Sequence, residues 1–167
     1  NEIRAGHPAV SFYTMYGQTE ATARLSYLDP SDLDSKLGSI GKGLPQTTLS
    51  LVDEHGLSMP LRAGVEGELV ATGRNICHGY WRDEEETARY FKDGVLHTGD
   101  MARVDQDGYF FITGRKKHFI KSAGNRVSPF EIEDFIRSFE PIEEVVVVGR
   151  PDPLLGVGTL EKVKVVV

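Results

Sequence analysis

Three short polar clusters in this sequence carry residue types that could do chemistry: Tyr16-Gly17-Gln18-Thr19-Glu20, His97-Thr98-Gly99-Asp100, and Gly114-Arg115 through Lys121-Ser122-Ala123-Gly124. Each sets a glycine beside a hydroxyl or a charge at the end of an apolar stretch that reads as a strand. A backbone can approach a ligand closely there, and the polar groups are placed to face one. Thr19 offers a hydroxyl and Glu20 a carboxylate, the usual pairing for a phosphate oxygen and Mg²⁺. Asp100, at a strand end, can accept hydrogen bonds from both hydroxyls of a ribose. Plainer readings stand beside these. Thr19-Glu20 can simply start a helix through Ala21 and Ala23, Asp100 can be a turn residue, Arg115 a solvated basic hinge, and Ala123-Gly124-Asn125 an ordinary hairpin turn. Three such clusters in one chain predict a divided binding site for something phosphorylated and hydroxylated.

The elements that must position these clusters can be read from apolar spacing. Ala9 to Met15 reads as a buried strand leading into the first cluster, and Thr48–Val52 and Glu68–Thr72 as further strands. Asp83, with Glu86 three residues on, forms a capping box for a short helix that Asp93-Gly94 ends. Val95–Thr98 and Met101–Val104 read as two strands, the second folded by Asp105–Gly108 against Tyr109–Thr113. Gly114 opens a basic run through His118, where a domain boundary is placed. Beyond it come a hairpin of Phe119–Ser122 with Arg126–Val127, and a helix capped by Ser128 with Pro129 first and Glu131 closing the box. Ile132, Phe135, Ile136 and Phe139 give that helix one apolar stripe. Val145–Val148 and Val163–Val167 are continuous β-branched runs, expected to be buried strands. The element order predicts a mixed α/β (α+β) fold class in two units: residues 1–113, β-rich, and residues 114–167, a small α+β unit that stops short.

The 167 residues hold 25 acidic against 19 basic side chains, a net charge of −6 that argues against a nucleic-acid footprint. No apolar run approaches the length of a bilayer span. Cys77, the single cysteine, excludes an internal disulfide framework, reads as a core residue, and fits a reducing cytoplasmic setting. Gly38–Gly43 contains Gly-Lys but lacks the following Ser or Thr of a nucleotide P-loop. Asp105 and Asp107 hint at a calcium loop, which Arg103 and Gly114 in its first and twelfth positions exclude. The chain opens on Asn1 and stops in a valine run, the expected look of an excised piece.

Taken in order, the clusters resemble the adenylate-forming superfamily: acyl-CoA synthetases, firefly luciferase and the adenylation domains of peptide synthetases. The likeness runs from about Ser11 to about Gly156 and includes Gly38-Ser39-Ile40-Gly41-Lys42-Gly43-Leu44-Pro45, Gly67-Glu68-Leu69 and Gly79-Tyr80-Trp81. The resemblance implies a β-barrel-like part of a large domain joined by a hinge to a small mobile domain. It implies that Tyr16, within the Tyr16-Gly17-Gln18 turn, packs on adenine, that Thr19 contacts phosphate, and that Glu20 binds magnesium. Asp100 and Arg115 would reach the ribose region of ATP or AMP. Lys117 would be the hinge residue, Lys121 would enter the site for the second half-reaction, and Gly124 would leave room for the pantetheine arm of coenzyme A.

Two parts of the family's machinery are not in this sequence: the Ser/Thr/Gly-rich phosphate loop and the C-terminal lysine motif. The resemblance therefore implies that the chain contributes to an ATP-dependent carboxylate–CoA ligase while being inactive alone. Gln18 and Phe119-Ile120-Lys121 favour acyl- or aryl-CoA ligases, acting on a small carboxylic acid, over peptide-synthetase domains. Two alternatives stay open: an adenylation domain loading a carrier protein, and a non-catalytic nucleotide-binding or interaction fragment.

Overall fold

Short apolar and β-branched runs punctuated by Gly, Asp and Asn turns produce a strand-rich molecule. The computed structural model describes residues 4, 6–116, 120–122, 125–139, 142, 144–152 and 156–166. The chain divides into two compact units, Asn1–Ile112 and Thr113–Val167.

In the first unit, β1 (Thr14–Tyr16), β2 (Ser26–Leu28) and β3 (Lys42–Gly43) form a small antiparallel sheet in that order. A larger, curled sheet runs β5 (Ser58–Met59), β4 (Thr47–Val52), β6 (Glu66–Gly73), β8 (Val95–Val104), β7 (Phe91–Lys92), with β9 (Phe110–Arg115) also paired to β8. Helix α1 (Glu84–Tyr90) lies between β6 and β7 in the chain. Strand β6 is central, and Gly67 through Ala71 are all buried, on both faces. Leu69 and Ala71 pack with Leu25, Leu49, Leu51, Leu96, Val104 and Phe110 in one core. Phe110 exchanges backbone hydrogen bonds with the Ile40–Gly41 segment, tying β9 to the start of β3.

The second unit contains the hairpin β10 (Ile120–Ser122) and β11 (Asn125–Val127), helix α2 (Pro129–Arg137), and the long hairpin β12 (Glu144–Asp152) and β13 (Gly156–Val166). Its core is built from Ile120, Val145 and Val147, with Ile132 and Ile136 of α2 packed on them. A curled sheet followed by an α+β unit is the mixed class expected from the sequence.

Several local expectations need correction. Of the Ala9–Met15 segment only Thr14 and Met15 lie in a strand, which continues to Tyr16 in a three-residue ladder with β2, and both are exposed where a buried strand was expected. Asp83 caps α1 through the Glu86 amide as expected, but the helix stops at Tyr90, and Asp93-Gly94 turns β7 into β8. The two strands expected around Gly99 are one ten-residue strand. Ser128 makes no capping bond. Its buried hydroxyl donates instead to the Thr113 carbonyl at 3.0 Å, pinning the helix start to the segment before it. In β12, Val145 and Val147 are buried while Val146 and Val148 are more than half exposed, so this strand has one covered face and not two. Cys77 is exposed, in the irregular segment between β6 and α1.

Candidate functional site

The first cluster is a single 3-10 turn, Thr19–Ala21, entered by Gln18 in extended backbone and left by Thr22 in the left-handed region. The Gln18 carbonyl accepts from the amides of Ala21 and Ala23, and the Leu25 amide closes the loop on the Tyr16 carbonyl at 2.8 Å. Thr19 through Ala23 therefore does not start a longer helix but makes one tight turn. Gly17 is required by the close approach of the chain on itself: a Cβ there would lie 2.3 Å from the Ala23 carbonyl oxygen. Asn75, from the segment after β6, donates to the Arg24 carbonyl at 2.8 Å and accepts from the Thr47 hydroxyl at 3.0 Å, fastening the loop to β4.

Thr19 is exposed and Glu20 half-buried. The Tyr80 hydroxyl donates to Glu20 Oε1. Tyr80 is itself held on several sides. Its amide donates to the Thr87 hydroxyl at 2.8 Å, and its ring meets Tyr90 and Phe91 edge-on at centroid distances of 6.1 and 5.7 Å. Burial, and then the adjacent Glu20 carboxylate, push the Tyr80 phenol above its usual range, so it remains protonated and a donor.

Tyr16 reaches across 84 positions of sequence to donate from its hydroxyl to Asp100 Oδ2 at 2.7 Å. That bond joins the first two clusters. Asp100 is only 6% exposed, more enclosed than a strand-end carboxylate would be. Thr98 is buried too, its hydroxyl donating to the Leu69 carbonyl at 2.6 Å, so it braces the strand. Among the described residues no buried side-chain nitrogen or oxygen lacks a hydrogen-bond partner.

Arg115 is exposed at the end of β9 and belongs to the second unit. So does Lys121, at the centre of β10 and paired with Arg126. Lys117 and Gly124 lie outside the described residues. The structure therefore brings together Tyr16, Gly17, Gln18, Thr19 and Glu20 with Asp100, and it adds Tyr80 and Asn75. Neither of these two had been assigned a role from the sequence. Tyr80 was visible there only as part of Gly79-Tyr80-Trp81, and the signal that singles it out, a donor on Glu20, exists only in three dimensions.

Among the described residues no three His, Cys, Asp or Glu side chains gather to hold a metal by themselves. Mg²⁺ bound to a nucleotide asks for less: one or two carboxylates, with phosphate and water completing its shell. Glu20, oriented by Tyr80 beside an exposed threonine hydroxyl, fits that requirement.

Residues 2–81 match the family of AMP-binding enzymes. The chain is 42% identical over 146 residues to a medium/long-chain-fatty-acid–CoA ligase of Mycobacterium tuberculosis, covering 87% of this chain and 25% of that relative. Among solved structures, the o-succinylbenzoate–CoA synthetase of Bacillus subtilis in complex with its acyl-adenylate intermediate superimposes with a TM-score of 0.81 at 27% identity, over 93% of this chain and 31% of that one. An amide bond synthetase from Marinactinospora thermotolerans gives 0.78 at 31% identity, over 87% and 30%. The chain thus spans between a quarter and a third of the length of the proteins it matches. With the ordered motifs, the Tyr16–Asp100 bond and these likenesses together, the chain belongs to the AMP-binding enzymes of the adenylate-forming superfamily.

Proposed function

We propose that the protein carrying this chain activates a carboxylic acid with ATP and transfers the acyl group to coenzyme A. In the first step a carboxylate oxygen attacks the α-phosphorus of ATP, giving acyl-AMP and releasing pyrophosphate. In the second the thiol sulfur attacks the acyl carbon, AMP leaves, and the thiol proton passes to solvent. Residues 1–113 contribute the end of the large adenylation domain, and residues 114–167 begin the small mobile one. The observation that carries the reading is the Tyr16–Asp100 hydrogen bond, which joins the two side chains, and in this reading Tyr16 faces the adenine and Asp100 accepts from the ribose. Thr19 contacts phosphate, and Glu20 holds Mg²⁺, which when bound screens the charge of the polyphosphate. Arg115 reaches the ribose region, Lys121 assists thiolation, Lys117 is the hinge, and Gly124 leaves space for the pantetheine arm. The exposed Cys77, the only cysteine, suits a reducing cytoplasm.

Pyrophosphate exchange that depends on an added carboxylic acid is the test, in the full-length protein. Exchange across a panel of fatty and aromatic acids is expected, with thioester formed once coenzyme A is present. No exchange with any acid would leave a nucleotide-binding module instead. The likeness to an amide bond synthetase favours a second reading for the acceptor alone. An amine, or a carrier protein, would then take the acyl group, and adenylation without thioester formation from coenzyme A would identify that case.

A further inference from the structure

Strands β6 and β8 do not pair evenly. Glu68 pairs with Met101 and Val70 with His97, so the single residue Leu69 faces three: Thr98, Gly99 and Asp100. The extra residues must leave the ladder as a bulge, and they are the ones that end in Asp100. Gly99 permits the turn with φ of +74°, and no atom lies within 4 Å of where its Cβ would be. The position therefore demands a backbone conformation rather than space.

The bulge is clasped from both strands. The Thr98 hydroxyl donates to Leu69 O at 2.6 Å and accepts from the Asp100 amide at 3.1 Å. From β6, Glu68 Oε1 accepts from the Gly99 amide at 3.3 Å, and its other oxygen lies 3.3 Å from His97 Nδ1. Glu68 is 5% exposed. A carboxylate buried on the central strand is costly unless hydrogen-bonded, and both of these contacts go to the segment that presents Asp100.

We propose that Glu68 and Thr98 are positioning residues. They hold the bulge in the one conformation that aims Asp100 at its ligand, and so set nucleotide affinity without touching the nucleotide. The inference rests on the reading of Asp100 as the ribose acceptor.

The test is calorimetric titration of the full-length protein with AMP, with thermal unfolding of each variant alongside. Asp100→Asn should weaken AMP binding about 10- to 100-fold. Glu68→Gln keeps shape and an acceptor oxygen but loses the charge, and should weaken binding about three- to tenfold with the melting point within about 4 °C of wild type. The double variant should bind no more weakly than Asp100→Asn alone, since the effect passes through Asp100. An unchanged affinity in Glu68→Gln, or the same added loss in the Asp100→Asn background, overturns the positioning role. If Asp100→Asn binds AMP like wild type, the ribose reading itself fails and the inference falls with it. Should Glu68→Gln not fold, Thr98→Val tests the other clasp. Its loss should again depend on Asp100 and be rescued by Thr98→Ser, and a Thr98→Ser variant as weak as Thr98→Val counts against the proposal.

Discussion

Glu20 and Asp100 each accept a hydrogen bond from a tyrosine, Tyr80 in one case and Tyr16 in the other. An ionised carboxylate offers about four acceptor directions, so one phenol can fix the orientation of Glu20 and leave acceptor capacity for a ligand. Tyr80→Phe isolates that contribution, because the packing on Tyr90 and Phe91 and the bond from the Tyr80 amide to Thr87 survive. With the phenol gone, the Mg²⁺ concentration needed for half-maximal pyrophosphate exchange should rise about tenfold while folding is nearly unchanged. Titrating Mg²⁺ in wild type and variant checks this, and superimposable curves would show that the tyrosine merely packs. The proposed roles of Thr19, Glu20 and Asp100 could be framed from sequence because hydroxyls and carboxylates beside glycine advertise their chemistry. The tyrosine donors could not, since what matters about Tyr80 is a contact spanning 60 positions and not its neighbours in the chain.

At the scale of elements, the Asp105–Gly108 turn between β8 and β9 shows what the acidic pair there is for. Lys36 Nζ lies 2.8 Å from Asp105 and also contacts Asp107. The Tyr109 hydroxyl donates to Asp32 at 2.8 Å, and Lys36 and Lys42 both sit over the Tyr109 ring. A lysine thus lies against both carboxylates of the turn, and it pins the loop through Asp32 and Lys36 to the hairpin. The two carboxylates raise the Lys36 pKa. Burial pushes Asp105 up, but Lys36 and the Tyr109 and Asp107 amides outweigh it and hold Asp105 below its ordinary value. The sign follows. Asp105 contributes stability above its unfolded pKa, near pH 4, which is lost as the pH falls through its lower folded value. Lys36 contributes below its unfolded pKa, near pH 10.5, and that part is lost as the pH rises further. Lys36→Met should therefore melt at a lower temperature than wild type at neutral pH, with the gap closing below about pH 4 and above about pH 10.5. A gap independent of pH would mean that the lysine acts through its aliphatic stem alone. Sequence patterns located the hairpin and the Asp83 cap because both are local. They divided β8 at Gly99 because a bulge is dictated by the partner strand, and they gave Ser128 a capping role because its true acceptor, the Thr113 carbonyl, is fifteen residues away.

At the scale of the whole molecule, the proposed roles divide as the chain does. Tyr16, Thr19, Glu20 and Asp100 belong to the unit Asn1–Ile112, and Arg115 and Lys121 to the unit Thr113–Val167. The basic run after Gly114 is a change in composition, a kind of signal that can be read without any knowledge of contacts. Two half-reactions that need different residues at different times would draw on the proposed roles of both units. Lys121, at the centre of the β10–β11 hairpin, is proposed to act in the second one only. Lys121→Ala in the full-length protein should leave carboxylate-dependent pyrophosphate exchange near the wild-type rate. It should slow thioester formation from supplied acyl-AMP and coenzyme A by about 10²-fold or more, the scale of losing a charge aimed at the reacting centre. Glu20→Gln should do the reverse, slowing exchange while acyl-AMP, once supplied, is still consumed, because the phosphates that need a counter-ion have already left. Equal losses in both half-reactions for Lys121→Ala would mean that this lysine supports the fold of the hairpin and is not reserved for the thiol step.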